Sequence, residues 1–113
     1  MTHLKIDYVE FSSGDLAKSK AFFDRAFGWT FQDYGPDYAA MTNAGLDGGL
    51  QGEPDHVGAL PLVILKADDL EAAEAAVTSA GGAVTRAIFS FPGGRRFHFR
   101  EPGGNELAVW SEI

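Results

Sequence analysis

The chain of 113 residues is expected to be an α+β protein. Two tandem βαβββ modules would form one curved, mostly antiparallel sheet with a concave cavity. Three observations predict this. Segments alternating apolar and polar residues with the period of a strand give way twice to stretches with helical spacing. The order strand, helix, three strands occurs in both halves of the chain. Two landmarks also return at a single offset: Asp15-Leu16 recurs as Asp69-Leu70 and Gly28 as Gly82, each 54 positions on (15 to 69, 28 to 82). Two copies are too few for a solenoid array. They read as an internal duplication within one domain: module one over about 1–52, a linker over about 53–57 and module two over about 58–113.

The elements follow in order. HLKIDYVEF alternates Leu4, Ile6, Tyr8 and Glu10 against Lys5, Asp7, Val9 and Phe11, the pattern of a first strand. SSGDLAKSKAFFDRAFG offers Ser and Asp as N-caps, Leu16, Phe23 and Phe27 on one helical face, and Gly28 to stop the helix. WTFQDY, DYAAMT and the surroundings of GGLQG are strands separated by Gly, Pro and Asn turns. GEPDH at 52–56 is polar, carries a proline and reads as the linker. The pattern then restarts with GALPLVILKA as a strand and DDLEAAEAAVTSAGG as a helix with Leu70, Ala73 and Val77 on one face. AVTRAIF, GRRFHFR and NELAVW complete module two as strands.

Composition limits the function classes. With 45% hydrophobic residues and no long apolar run, the chain is expected to be a soluble globular protein. Its N-terminus lacks the basic and apolar blocks of a signal peptide, so the cytoplasm is the expected location. No cysteine is present, which removes disulfides, thiolate metal sites and cysteine nucleophiles. A net charge of −7 and a pI near 4.7 argue against nucleic acid and anionic membrane as partners and favour a cationic small molecule.

One helix on one face of each four-stranded sheet leaves the other face to line a cavity. Candidate binding residues lie on the first and last strands. Tyr8 and Glu10 share a face of the first strand, and Leu62 and Ile64 share one on the fifth. In EPGGNELAVW a tight turn feeds a last strand on which Glu106, Ala108 and Trp110 share a face. His98 alternates with Phe97 and Phe99; if those phenylalanines pack under a helix, His98, Arg96 and Arg100 turn toward cavity or solvent, where a histidine could act as acid or base. Tyr8 and Trp110 suit stacking on a flat or cationic ligand as well as ordinary core filling. His3 at a terminus and His56 in the linker suit neither role. The glycines of PGG and AGG serve turns, and no Ser, His and Asp arrangement suggests a hydrolase.

VEFSSGDLAKSKAFFDRAFGW, ADDLEAAEAAVTSAGG and FREPGGNELAVW together resemble the vicinal oxygen chelate superfamily, the glyoxalase, bleomycin-resistance and extradiol-dioxygenase group. The resemblance covers essentially the whole chain and implies paired βαβββ modules, commonly in a homodimer. It also implies four positions where metalloenzymes of the group hold a divalent cation with His or Glu, on the first and last strand of each module. Here those positions fall at Tyr8, Leu62, Ala108 and somewhere in 48–51, and the three that are well placed are not normal ligands. A register slip of two would instead bring Glu10 and Glu106 into the roles, a poor transition-metal pair without histidine.

The favoured expectation is therefore a metal-free, cofactor-free protein that binds a small aromatic or cationic molecule, similar to bleomycin-resistance proteins, as a homodimer. The alternatives are a glyoxalase- or lyase-type enzyme, with metal in another register or with acid-base chemistry by Glu10, Glu106 or His98, and a structural or regulatory dimer.

Overall fold

The computed structural model describes residues 3–53 and 61–113. The linker beyond residue 53, His56 with it, and the start of the strand expected from 58 lie outside the described residues. The protein is α+β; the described residues form eight strands and two helices in the order βαβββ, βαβββ. The chain divides into two compact units, Tyr8–Pro61 and Leu62–Ile113, the latter joined by the start of the chain through Asp7.

In the Tyr8–Pro61 unit the elements are β1 (Ile6–Ser12), α1 (Leu16–Phe27), β2 (Phe31–Asp33), β3 (Tyr38–Met41) and β4 (Gly48–Gln51), with sheet order β2-β3-β4-β1. β1 runs parallel to β4 and the other pairs are antiparallel. Asp15 starts α1 by accepting the Lys18 amide at 3.1 Å, satisfying one of the amides that a first turn leaves without a partner. Gly28 ends it at φ 74°, a left-handed conformation that costs a residue without Cβ little. The helix is held by rings rather than by fully buried side chains. Phe23 stacks on Phe11 of β1 with centroids 6.4 Å apart and on Trp29 at 4.7 Å. Ala39, Met41 and Leu50 are buried in the sheet. Phe27, expected on the core side, is 63% exposed, with one side of its ring toward Phe23 at 6.5 Å and Trp29 at 5.9 Å.

In the other unit β5 (Leu62–Lys66), α2 (Leu70–Ser79), β6 (Ala83–Phe91), β7 (Gly94–Arg100) and β8 (Glu106–Ser111) repeat the arrangement, with sheet order β5-β8-β7-β6. Asp69 caps α2 through the Ala72 amide at 3.0 Å, so the repeated Asp-Leu pair is a repeated N-cap. Leu70 and Ala73 pack on Phe97, Phe99 and Val109, with Leu4 and Val77 at the margin. Each large apolar side chain buried there contributes about 1.5–3 kcal/mol. The helix end differs from the expectation. The left-handed residue after α2 is Gly81, at φ 97°, while Gly82 lies against Val77 with room for no Cβ. The turn before β8 is closed by Glu101, whose carboxylate accepts the Gly103 amide at 2.6 Å and the Asn105 amide at 3.0 Å. Those bonds hold its carboxyl below the usual glutamate range.

Candidate functional site

Helix packing fixes which face of each sheet is left for chemistry. In the Tyr8–Pro61 unit, Phe11 lies on the α1 side, so Tyr8, Glu10 and Ser12 alternate onto the helix-free face of β1. The register sets Gly49 opposite Glu10 and Gln51 opposite Ser12, and then Tyr38 opposite Gln51. Tyr38 donates its hydroxyl hydrogen to Glu10 Oε2 at 3.0 Å, and the Tyr8 and Tyr38 hydroxyl oxygens are 2.6 Å apart. A phenol has one hydrogen. With that of Tyr38 directed to Glu10, Tyr8 donates to Tyr38 and keeps its own lone pairs to accept. Glu10 itself is only 7% exposed.

The cluster depends on Gly49. A Cβ there would overlap the Tyr38 hydroxyl and come within 2.6 Å of the Tyr8 hydroxyl, so the missing side chain is the space the two phenols occupy. Burial is the main force raising both phenol pKa values, and the Glu10 charge raises them further; for Tyr8 the bond to Tyr38 acts in the opposite sense. Both hydroxyls are neutral at ordinary pH.

In the other unit, Val63, Leu107 and Phe99 share the α2 side, so Leu62, Ile64, Ala108 and His98 lie on the helix-free face. Ile64 opposes Ala108, and Ala108 opposes His98. Ala108 is fully buried and Leu62 partly so. His98 accepts at Nε2 from Arg96 Nε at 3.2 Å. The Trp110 indole N–H donates to Asp7 at 3.0 Å, and the Lys66 ammonium lies 5.0 Å from the ring centroid. Glu106 is exposed and accepts the Thr85 hydroxyl at 2.7 Å. His3 is exposed.

The candidate residues thus fall into two sets, Tyr8 and Glu10 in one unit and the other six in the second. Tyr38 and Gly49 complete the first set; sequence reading missed Tyr38 and narrowed the other only to 48–51. Tyr38 alternates with Ala40 in DYAAMT, a visible signal, but its partner depends on the β3–β4 register. A cleft of about 320 Å3 lies on the opposite side of the second unit, between α2 and the sheet, lined by Leu4, Leu65, Val77, Phe99 and Val109. None of the expected binding residues borders it.

The sequence profile of the glyoxalase/bleomycin resistance protein/dioxygenase superfamily matches residues 5–109. The chain belongs to that superfamily. No curated protein sequence matches it significantly. Among solved structures it is similar to a glyoxalase/bleomycin resistance protein/dioxygenase superfamily member from Vibrio splendidus, with 20% identity, a TM-score of 0.73 and coverage of 96% of this chain and 99% of that one. It is also similar to methylmalonyl-CoA epimerase from Mycobacterium tuberculosis (14% identity, TM-score 0.74, 94% and 86% coverage). A Legionella pneumophila protein described as NAD-dependent benzaldehyde dehydrogenase is alike to a similar degree (15% identity, TM-score 0.75, 92% and 96% coverage). At these identities the likeness is one of fold, and the neighbours' descriptions differ in chemistry.

The divalent cation that superfamily metalloenzymes hold can be tested against the side chains. Glu10 stands two residues beyond Tyr8 as Ile64 does beyond Leu62; Glu10 pairs with Gly49 and Ile64 with Ala108. Gly49 is therefore the counterpart of Ala108 and the position left open within 48–51. The four places hold a phenol bonded to another phenol, a glycine, a leucine and an alanine. These residues do not fit a cation that needs several lone-pair donors at about 2 Å. Among the described residues, no three His, Asp or Glu side chains converge to make another such set. No helix among them is long and apolar enough to cross a membrane.

Proposed function

We propose that this superfamily member binds a small organic cation, flat and aromatic in body, at the Tyr8–Tyr38–Glu10 cluster and without a metal. The observation that carries the reading is the direction of the hydrogen-bond chain. Glu10 orients Tyr38, Tyr38 orients Tyr8, and the Tyr8 oxygen is left as an acceptor beside two aromatic rings and a buried negative charge. A protonated amine or quaternary ammonium is attracted by the carboxylate and by ring faces, and an N–H can donate to Tyr8. The net charge of −7 adds long-range attraction. This is a binding role similar to that of the bleomycin-resistance members, with no reaction required.

Calorimetric titration with benzylammonium, whose N–H groups can donate to Tyr8, tests it. Saturable binding weakened by salt is expected, with a loss of about ten-fold or more in Glu10→Gln and a smaller loss in Tyr8→Phe. A neutral isostere that binds equally well, or no binding by the folded wild-type chain, overturns the reading.

Pairing of two copies belongs to the same proposal. α1 leaves Phe22 54% and Phe27 63% exposed, apolar area that a small domain gains by covering, and two-fold dimers are the commonest solution. Light scattering at tens of micromolar should give a dimer mass, and a monomer mass removes this part.

A further inference from the structure

We infer that the tyrosine cluster is one end of a longer site whose other end is Ser12, held by Gln51: a hydrogen-bond donor that selects arylalkylammonium ligands carrying a neutral acceptor, such as a carbonyl oxygen, across the ring from the cation. This second end rests on the reading that places the cation at Glu10 and Tyr8, and it lies wholly within the Tyr8–Pro61 unit. Hydrogen-bond direction is the first observation. The Glu53 backbone N–H, which can only donate, meets Gln51 Oε1 at 2.9 Å. That contact fixes the amide, so Gln51 Nε2 faces Ser12 Oγ, also at 2.9 Å. An amide NH2 group donates and does not accept, so Ser12 Oγ is the acceptor and its own hydrogen is left to donate. Among the described residues no acceptor takes it. Gln51 is 7% exposed and keeps this orientation away from water, whereas Ser12 is half-buried and within a ligand's reach.

Spacing is the second. Ser12 follows Glu10 by two residues on the helix-free face, about 7 Å farther along β1. Tyr38, on β3 beyond β4, spans the same interval. Its backbone pairs with Gln51, which pairs with Ser12, and its hydroxyl reaches the space over Gly49, which pairs with Glu10. The Tyr38 ring therefore runs from the level of the Ser12 donor to the level of the Glu10 carboxylate. A ligand ring lying against it, with its ammonium group at Glu10 and the Tyr8 oxygen, carries a para substituent toward Ser12. Charge narrows the choice of substituent. With the Glu10 carboxylate about 7 Å away in a chain of net charge −7, a ligand carboxylate is disfavoured at this end, which leaves a neutral carbonyl or ether oxygen.

Calorimetric titration of the chain with 4-acetylbenzylammonium and with 4-isopropylbenzylammonium, alike in shape but for the carbonyl oxygen, tests the second end. The acetyl compound should bind tighter by about five-fold or more, the worth of one hydrogen bond. Ser12→Ala removes the donor and should bring the ratio of the two dissociation constants close to one. Gln51→Glu should do the same, because it keeps the size of the side chain and turns the Ser12 hydrogen onto the new carboxylate; a merely structural Ser12 would not lose the preference there. Ser12→Thr keeps the hydroxyl and should keep the preference. Equal binding of the two compounds by the wild-type chain, or a preference that survives in Ser12→Ala or Gln51→Glu, overturns the inference. If both compounds bind equally, weakened by salt and by Glu10→Gln, the cation reading stands and the second end alone is lost; if neither binds, both fall.

Discussion

Gly49 leaves on β4 the space that the phenolic oxygen of Tyr38 fills: a Cβ on Gly49 would overlap that oxygen, and Tyr38 in turn donates to Glu10 at 3.0 Å. A residue with no side chain thus decides whether a buried carboxylate keeps this hydrogen bond. Were Tyr38 displaced, Glu10 would lose a donor at a position where water is scarce.

Gly49→Ala is therefore expected to destabilise the fold by about 1–3 kcal/mol, the usual range for overpacking a filled space. Denaturant unfolding of wild type and variant measures it. A neutral Gly49→Ala would mean that the two phenols move aside at no cost.

The same cluster sets the alkaline behaviour. Both phenol pKa values are raised in the folded chain, Tyr38 far above 10 and Tyr8 above 10, with burial as the first cause. A raised folded pKa gives stability that is complete below the unfolded value near 10 and is lost as pH rises toward the folded one. Stability should fall above about pH 10, and the tyrosinate absorbance of these two residues should appear together with unfolding. Glu10→Gln removes the charge that opposes ionisation, so the absorbance should appear at lower pH. An onset at the same pH in Glu10→Gln would show that Glu10 does not act on Tyr38.

How much of this was legible follows from the range of the forces involved. Asp15, Asp69 and Gly28 announce helix ends because capping is a matter of three or four adjacent residues. The alternation in NELAVW places Ala108 and Trp110 on one face because a strand has period two. Cross-strand facts were hidden. Nothing in DYAAMT says that Tyr38 reaches Glu10, since that requires the register of three strands. Nothing in AVTRAIFSF says that Arg86 and Phe89 share a face, since spacing alone denies it and only two register shifts allow it. The alternation also cannot tell how deep a residue lies: Ala108, a candidate on that face, is fully buried, with Ile64 and His98 opposite it on the neighbouring strands.

That burial decides what Ala108→Trp should do. A large ring has no free volume at a fully buried alanine, so the variant should lose roughly 1–3 kcal/mol or more and fail to fold cleanly. Circular dichroism and thermal unfolding report it. A folded Ala108→Trp chain of unchanged melting temperature would mean that the helix-free face opens readily at this position.

Metal retention follows from the donor positions. After dialysis against zinc, nickel, manganese or ferrous iron, the purified chain should keep far less than one equivalent by elemental analysis. A phenol committed to another phenol, a glycine, a leucine and an alanine offer no set of lone pairs to replace a hydration shell. One equivalent retained, and lost in Glu10→Gln, would place a cation at Glu10 and overturn the metal-free reading.

Gly28 and Gly82, which repeat in sequence, should behave differently. Gly28, at φ 74°, has nothing within 4 Å of a would-be Cβ, so Gly28→Ala bears only the strain of a left-handed residue, about 1 kcal/mol. Gly81, at φ 97°, should respond like it, because its would-be Cβ meets only Pro102 Cγ at 4.0 Å. Gly82, the sequence counterpart of Gly28, does not take a left-handed φ, and its would-be Cβ falls 2.7 Å from Val77 Cγ1 and 3.1 Å from the Val77 carbonyl oxygen. Val77 is β-branched and sits in α2, where one rotamer dominates, so it yields poorly. Gly82→Ala should cost about 2 kcal/mol, more than either left-handed position, with part of the loss recovered in Gly82→Ala combined with Val77→Ala. Denaturation midpoints of the three single variants and the double variant decide it; a Gly82→Ala chain as stable as wild type would show that Val77 and the end of α2 shift freely.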